Sequence, residues 1–242
     1  MENQIDLGRL RKSEWIGGII YWPIFLFGAP LLAALAVSAL WPTADAALWL
    51  SRTNFIYCLI NAAALVLIFF RYLKAQLLRL QERGWRLFAD LGIGYAAYYG
   101  LSIAAGYVIS LLMQLFSTPY LNANQDAVEE SLRVLPVLVI LESLLLAPTA
   151  EELLTRGLIF GTLRRRSRIL AYALSMLAFS LAHCVSNLPY QPFAVTLIDV
   201  VTYLPAGFVL AWVYERSGTI WTSVFLHAVI NGVALLLQAA IR

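Results

Sequence analysis

The sequence predicts an all-α, polytopic membrane protein, and two observations support that prediction. Hydrophobic residues make up 61% of the 242 residues and charged residues only 13%, a balance too apolar for an ordinary water-soluble domain. Seven apolar segments reach or approach the ~20 residues that a helix needs to cross ~30 Å of hydrocarbon. They are roughly residues 15–41, 54–73, 88–116, 134–162, 169–188, 193–214 and 220–241.

Some of these segments are longer than one span requires and contain proline. The first, third and fourth are expected to tilt, bend or extend past the hydrocarbon, with bends at Pro23, Pro30, Pro136 or Pro148. The first apolar run is longer than a signal-peptide core and is interpreted as a retained span. No repeat, low-complexity tract or linker divides the chain, so residues 1–242 are interpreted as a single membrane domain.

Basic residues are distributed unevenly between the two sets of loops. When the loops are counted alternately, thirteen Lys and Arg residues fall on one side and three on the other, which predicts a cytoplasmic N-terminus by the positive-inside rule. These residues flank apolar segments and form no single basic face, so no nucleic-acid partner is predicted. The richer side has Arg9, Arg11, Lys12, Arg71, Lys74, Arg79, Arg83, Arg86, Arg164, Arg165, Arg166, Arg168 and Arg216, and the other has Arg52, Arg133 and Arg242.

Residues 71–86 mix basic residues with leucine and tryptophan. This pattern is typical of an amphipathic helix on the inner leaflet of the membrane. A plain cytoplasmic extension of the second helix fits the pattern equally well, and both interpretations stay open at this point.

Ionisable residues inside apolar segments form the candidate site. The only two histidines, His183 and His227, lie in two such segments, and a third segment carries Glu151, Glu152 and Arg156. Ionisable groups at membrane depth are costly and usually face the bundle interior or a water-filled cavity. The helical rise puts the groups of all three segments near the middle of the bilayer, so we expect them to meet.

Helical spacing predicts which of these groups share a face. Glu152 and Arg156 are four residues apart, as are His227 and Asn231, so the members of each pair can point to one side. Glu151 projects ~100° away from Glu152 and can face a different neighbour. Together the carboxylates and imidazoles can take a proton from water, and the polar donors can stabilise an oxyanion, so these groups suit the hydrolysis of an acyl bond.

Other ionisable and nucleophilic residues in the apolar segments are given structural interpretations. Glu142 lies nine residues before Glu151, on about the opposite face of an α-helix, so a packing role is expected. Asp199 is likewise expected to be structural, although it can also line the cavity. The remaining polar or thiol groups, interpreted as packing hydroxyls and buried thiols, are Ser180, Ser223, Cys58 and Cys184.

Three short motifs follow each other on the apolar helices of the C-terminal half. They are Glu151-Glu152-x-x-x-Arg156, Phe179-x-x-x-His183 and His227-x-x-x-Asn231. In this order they resemble the motifs of the CPBP intramembrane proteases, a family that includes CAAX prenyl endopeptidases of the Rce1 type and bacterial relatives. The resemblance covers residues 134–241, whereas residues 1–133 carry no recognised motif. Thr155 stands where the family commonly has an aromatic residue.

The resemblance implies a glutamate-dependent endopeptidase in the plasma (inner) membrane of a prokaryote. Surrounded by membrane lipids, it would cleave a lipidated or membrane-anchored protein substrate near its C-terminus. Glu151 would activate water with His183, and His227 and Asn231 would stabilise the oxyanion. The second carboxylate and the arginine of the first motif would orient these groups.

Two chemistries and two rival functions remain open on the sequence. A metal bound by Glu151, His183 and His227 would be a His₂Glu zinc set, although no H-E-x-x-H motif is present. The metal-free form, with no cofactor, is favoured because Asn231 supplies an oxyanion donor and no third histidine exists. The rivals are a non-catalytic immunity or scaffold protein and a transporter or proton relay. The substrate, its cleavage site and the oligomeric state are not indicated.

Overall fold

The computed structural model describes residues 7–120, 122–185 and 187–240, and nine helices follow one another along them. These described residues contain no β-strand, so the all-α prediction is confirmed. Arg242, counted above among the basic residues, lies outside them. The helices are α1 (Lys12–Leu40), α2 (Ala46–Ile68), α3 (Phe70–Arg83), α4 (Arg86–Leu115), α5 (Ala123–Val134), α6 (136–163), α7 (Arg168–Cys184), α8 (Phe193–Ser217) and α9 (Ile220–Ala240).

Five of these helices, α1, α2, α4, α8 and α9, are long and apolar enough to cross a membrane. The prediction of a polytopic membrane protein is thereby confirmed. The other two predicted spans are also helical, as α6 and α7. Helix α7 has 17 residues, a length of about 25 Å at 1.5 Å per residue, and α6 carries the ionisable motif. Membrane crossing by these two helices, and thus the count of seven, stays a prediction.

Prolines change the spacing of side chains around α1 and α6. Proline has no N–H to donate to the carbonyl four residues before it, and each of these helices widens into a π turn ahead of one. Ile24–Gly28 precede Pro30, and Glu142–Leu146 precede Pro148. A π turn holds one extra residue, so side chains on its two sides no longer follow the spacing of an unbroken α-helix.

The second half of α6, residues 148–161, runs through the middle of the bundle. Its residues Leu153, Leu154 and Phe160 are fully buried and belong to one apolar cluster with Phe69 and Tyr214. Helices α1 and α4 instead expose many large apolar side chains, the kind of surface that hydrocarbon covers around a helical membrane protein. Groups on this half of α6 are therefore shielded on most sides by other helices.

Ion pairs gather basic residues of the richer side at one end of the bundle. Two buried acids hold four of these basic residues: Asp90 pairs with Arg83 and Arg216, and Glu215 pairs with Arg164 and Arg168. The paired residues come from several different helices and the loop after α6. This grouping agrees with the alternate counting of the loops, while the leaflet that this end faces stays a prediction.

Residues 71–86 lie mostly in α3, a helix separated from α2 by a break at Phe69. The Gln76 amide donates to the Leu7 carbonyl at 2.8 Å and accepts from the Ile220 N–H at 2.9 Å. The side chain is fully buried. These bonds join α3 to the N-terminal segment and to the start of α9, so one face of the predicted amphipathic helix packs on protein.

Helices α7 and α8 lie close together at Gly207. A Cβ atom there would lie 3.2 Å from Met176 Cα and 3.3 Å from the Met176 carbonyl oxygen. We expect Gly207→Val to lower the free energy of unfolding by ~1–3 kcal/mol, because the backbone of α7 must move to admit the side chain. Gly100→Val is the matched control, since nothing lies within 4 Å of its Cβ position. Thermal unfolding in detergent micelles measures both, and equal shifts would contradict the prediction.

Candidate active site

Glu152 is the centre of a buried polar cluster formed by α6 and α9. Its Oε1 accepts from Arg156 Nη1 at 3.1 Å and lies 3.1 Å from His227 Nδ1. Its Oε2 accepts from the Ser223 hydroxyl at 2.5 Å. Glu152 and Arg156 are both fully buried, so the ion pair that their spacing predicted forms in the interior. Three donors satisfy this carboxylate and hold it in place.

Arg156 has further partners that bind its guanidinium inside the bundle. Nη1 also contacts the Thr155 hydroxyl at 2.5 Å, and Nη2 donates to the Gly207 carbonyl of α8 at 3.0 Å. The guanidinium carbon lies 4.6 Å from the centre of the Phe179 ring on α7, within cation–π range. The guanidinium thus joins α6, α7 and α8.

Glu151 points away from this cluster, toward both histidines. Its Oε2 lies 3.6 Å from His183 Nε2 and 3.9 Å from His227 Nε2, and within the described part of the chain it accepts no hydrogen bond. The side chain is 17% exposed, whereas that of Glu152 is completely buried. The two adjacent carboxylates therefore differ: Glu152 has three donors, whereas Glu151 is open in the sense that its buried Oε2 has no hydrogen-bond partner among the described residues.

Hydrogen bonds at Nδ1 define the tautomer of each imidazole. His183 Nδ1 lies 2.9 Å from the Phe179 carbonyl oxygen, and His227 Nδ1 is held by the Glu152 carboxylate. Carbonyl and carboxylate oxygens only accept, so both Nδ1 atoms carry hydrogen. The Nε2 atom of a neutral imidazole is then an acceptor, and both Nε2 atoms face Glu151. Either histidine can therefore accept a hydrogen bond from a water molecule beside this carboxylate.

Asn231 lies one helical turn beyond His227 and lines the same cavity. Its amide nitrogen donates to the Ser143 carbonyl of the first π turn of α6 at 2.9 Å. An amide nitrogen carries two hydrogens, so one remains for a second acceptor. All six residues predicted from the motifs thus belong to one site, with Glu152 and Arg156 inside the protein wall and the other four at the cavity.

The cavity has a volume of about 280 Å³. It is lined by residues of seven helices, α2 and α4 to α9, and by Asn122 just before α5. That volume is near the lower end of the range for ligand pockets. Its wall combines apolar groups, amides and tyrosines with the carboxylates and imidazoles. A small polar reactant such as water, together with part of a larger substrate, fits such a space.

Three residues that shape the site have roles that the motifs did not predict. The Ser223 hydroxyl, interpreted above as a packing group, binds the Glu152 carboxylate. Ser223 is four residues before His227, and this spacing is the signal that indicates a shared face. Tyr203 of α8 stacks on His183, with ring centres 4.3 Å apart, and Phe179 contacts both imidazoles. No sequence spacing indicates the Tyr203 contact, because it joins two different helices.

Asp199 is a structural group, as expected. It accepts from the Tyr120 hydroxyl at 2.8 Å and from the Gln191 amide at 2.7 Å, and it is absent from the cavity wall. Burial raises the pKa of Tyr120 above its ordinary value, which keeps the hydroxyl protonated as a donor. These bonds connect the loop before α5 with the segment that leads into α8.

Glu142 requires a correction. It lines the same cavity as Glu151, although nine residues of an unbroken α-helix would put the two on opposite faces. The extra residue of the π turn Glu142–Leu146 reduces their angular separation to about 80°. Pro148 is the feature of the sequence from which this change of register was predictable in principle.

The side chains around Glu151 are of types that can bind a metal ion. Two neutral imidazoles with hydrogen-bonded Nδ1 atoms and one carboxylate make up a known catalytic zinc set. Over residues 7–120, 122–185 and 187–240, however, no group of three His, Cys, Asp or Glu side chains is placed so that it could hold a metal ion.

The all-helical bundle thus encloses a cavity whose wall holds two imidazoles and the Glu151 carboxylate, the Oε2 of which has no hydrogen-bond partner among the described residues. Residues 133–233 match the family described as Type II CAAX prenyl endopeptidase Rce1-like. This C-terminal part of the chain is similar to that family, and the resemblance found in the motifs is confirmed. The matched range nearly coincides with the predicted residues 134–241.

Relatives of known sequence agree with this assignment. The chain is 25% identical to "Putative membrane peptidase YdiL" of Bacillus subtilis, over 95% of this chain and 90% of the relative. It is also 25% identical to "UPF0177 protein YxdF" of Lactococcus lactis, over 69% of this chain and 87% of that protein. No solved structure matches. The family and the first relative support a membrane peptidase.

Proposed function

We propose that this protein is a glutamate-dependent intramembrane endopeptidase that cleaves a lipidated or membrane-anchored protein near its C-terminus. The observation that carries the proposal is the Glu151 carboxylate, whose Oε2 has no hydrogen-bond partner among the described residues and faces two imidazole Nε2 atoms. A buried oxygen left open in a cavity is costly unless a reactant or water binds there.

The first step is the activation of water between Glu151 and His183. Their facing atoms are 3.6 Å apart, and one water oxygen can lie ~2.8 Å from both. One hydrogen of this water points to Glu151 Oε2 and the other to His183 Nε2. Glu151 removes its proton as the oxygen attacks the carbonyl carbon of the peptide bond. The held tautomer of His183 orients the water for this attack.

His227 and Asn231 stabilise the oxyanion that forms. Asn231 donates its remaining amide hydrogen, and His227 donates from Nε2 when the ring is protonated. The Glu152 carboxylate at Nδ1 stabilises this imidazolium. Glu151 then passes the proton to the leaving amine nitrogen, and the C–N bond breaks to give a carboxylic acid and an amine. The acid proton passes to the amine, so a carboxylate and an ammonium group are released. Glu152 and Arg156 act through His227 and are positioning residues in this scheme.

The substrate class follows from the depth of the site and from the family. A bond cleaved inside the bundle must be brought there by a lipid or an apolar anchor, and the family name specifies prenylated CAAX proteins. The relatives named above come from bacteria, which supports a bacterial plasma (inner) membrane. For such a membrane we propose a substrate anchored by an acyl chain or by a transmembrane helix.

Cleavage of defined peptides tests the proposal. Purified protein in liposomes is incubated with a peptide library whose members end in a farnesylated cysteine, an acylated cysteine or one apolar helix. Mass spectrometry is expected to show one new C-terminus per substrate, with wild type and not with Glu151→Ala or His183→Ala. Equal product from all three proteins would remove the mechanism. A scaffold or transporter would leave every peptide intact.

Metal removal provides a separate prediction. We expect 1,10-phenanthroline or EDTA treatment to leave peptidase activity within about twofold of the untreated enzyme, because water, Glu151 and the polar donors suffice for the reaction. Elemental analysis of the purified protein is expected to show zinc well below one ion per chain. Loss of activity on chelation, with recovery on adding Zn²⁺, would instead assign a metal to the His₂Glu set.

A further inference from the structure

Glu142 differs from the other buried acids of the protein. Six carboxylate side chains of the described residues are buried, and five of them accept hydrogen bonds: Glu14, Asp90, Glu152, Asp199 and Glu215. Glu142 is only 5% exposed, and its Oε2 is buried without a hydrogen-bond partner in that part of the chain. A buried carboxylate without a partner is costly, so its position in a cavity wall indicates a ligand.

The charge of the cavity wall indicates what kind of ligand. The described wall contains two carboxylates, Glu142 and Glu151, and no lysine or arginine. The guanidinium of Arg156 is bound to Glu152 behind this wall. A cationic side chain is the group that complements an open carboxylate most strongly, through a charge-assisted hydrogen bond. Neutral donors would form weaker bonds at the same oxygen.

The spacing along α6 indicates where that cation belongs on a substrate. Glu142 and Glu151 are separated by about 13 Å along the helix axis, from a rise of 1.5 Å per residue. An extended peptide covers this distance in about four residues at ~3.3 Å each. Glu142 lies on the side of Glu151 that is farther from the arginine-rich end of α6.

We propose that Glu142 forms a specificity subsite for a basic side chain of the substrate, three to five residues from the bond that is cleaved. The inference rests on the proposed peptidase function and adds a sequence requirement to it. The π turn before Pro148 is the structural cause, because it turns Glu142 into the cavity that holds Glu151. The subsite recognises lysine or arginine through the free carboxylate oxygen.

Substrate variants test the subsite. A cleaved library peptide is remade with lysine, norleucine or glutamate at each position three to five residues from the cleaved bond, on either side. At one position the wild type is expected to cleave the lysine peptide with kcat/KM ~10-fold above that of the norleucine peptide. In Glu142→Gln this ratio is expected to fall to near one, and in Glu142→Lys the glutamate peptide becomes preferred.

The matched control is Asp126→Asn, which removes an exposed acid of α5 next to Gln125 and Ala127 of the cavity wall. This variant is expected to keep the wild-type ratio, because the effect depends on the open carboxylate and not on net charge. A wild-type ratio near one at every position would overturn the proposal. A ratio in Glu142→Gln equal to that of wild type would also overturn it.

Binding to inactivated protein separates the subsite from the reaction. In a Glu151→Gln background, the lysine peptide is expected to bind ~10-fold more tightly than the norleucine peptide, and adding Glu142→Gln is expected to remove that difference. If this preference is found while wild type cleaves no peptide, the subsite stands and the peptidase proposal fails. If cleavage depends on Glu151 but shows no preference for lysine, the peptidase proposal stands and the subsite proposal fails.

Discussion

Glu151→Gln is expected to lower kcat/KM by ~10³-fold and to leave thermal unfolding nearly unchanged. The loss follows because an amide cannot take a proton from water, and general-base catalysis contributes ~10²–10⁴-fold. Stability is expected to persist because Glu151 Oε2 accepts no hydrogen bond within the described residues, so the amide replaces an atom that has no bond to lose. A fluorescent lipidated peptide measures kcat/KM, and a melting curve in micelles measures unfolding.

The control for this prediction is Glu82→Gln, an exposed acid of α3. It makes the same chemical change far from the cavity and is expected to keep both kcat/KM and the melting temperature. His183→Gln provides a second comparison, because it removes the acceptor that orients water while Glu151 stays. Its kcat/KM is expected to fall less than that of Glu151→Gln. Wild-type activity in Glu151→Gln would contradict the assignment of the general base.

Arg156→Met is expected to reduce the free energy of unfolding by ~3–5 kcal/mol. The substitution keeps a long side chain but leaves the Glu152 carboxylate without its cation in the protein interior, and breaking one half of a buried pair costs this much. Both side chains are completely buried, so water cannot replace the lost partner. Thermal or denaturant unfolding in micelles measures the loss.

The surface of α5 provides a matched control for the same change. Arg133 and Glu129 form a Glu–Arg pair at the same spacing of four residues, but their side chains are 64% and 38% exposed. Arg133→Met is expected to cost at most ~0.5 kcal/mol, because exposed pairs contribute little. A similar loss in the two variants would mean that burial does not determine the energy of the pair at Arg156.

A double variant separates charge from position. Glu152→Gln combined with Arg156→Met removes both charges and keeps an amide that can bind Ser223. We expect it to regain about half or more of the stability that Arg156→Met loses. Its peptidase activity is expected to stay low, because the imidazolium form of His227 no longer has a carboxylate at Nδ1. Recovery of activity together with stability would contradict the positioning role of the ion pair.

Relations within one helix were largely predictable from the chain. The four-residue spacing of Glu152 and Arg156 predicted their ion pair, and the same spacing puts His227 and Asn231 at one cavity. The prediction failed for Glu142, because it assumed 3.6 residues per turn across a segment that is a π turn. The π turn thus changed the face of Glu142 over nine positions, whereas the pair of Glu152 with Arg156 forms although Arg156 lies in a second π segment, Leu153–Phe160.

Contacts between helices were largely beyond prediction. The sequence indicated that three apolar helices bring their ionisable groups together, since isolated ones would be costly in lipid. It did not indicate that Tyr203 stacks on His183 or that the Gly207 carbonyl binds Arg156, because residues far apart in sequence carry no spacing relation. The role of Ser223 was partly predictable. Its spacing to His227 indicated a shared face, but nothing in the sequence indicated its bond to Glu152.

Composition and motif order were enough to predict a helical membrane protein that resembles the Rce1-like family and to name six residues that the structure brings together at its candidate site. Hydrophobic length and the cost of burying charge apply to any chain of this kind, so no coordinates were needed. Tertiary packing decided that Glu152 is enclosed by donors while Glu151 is open, and that Glu142 shares its cavity. The difference between two adjacent glutamates depends on which neighbouring helix each one meets, and only the assembled bundle defines those neighbours.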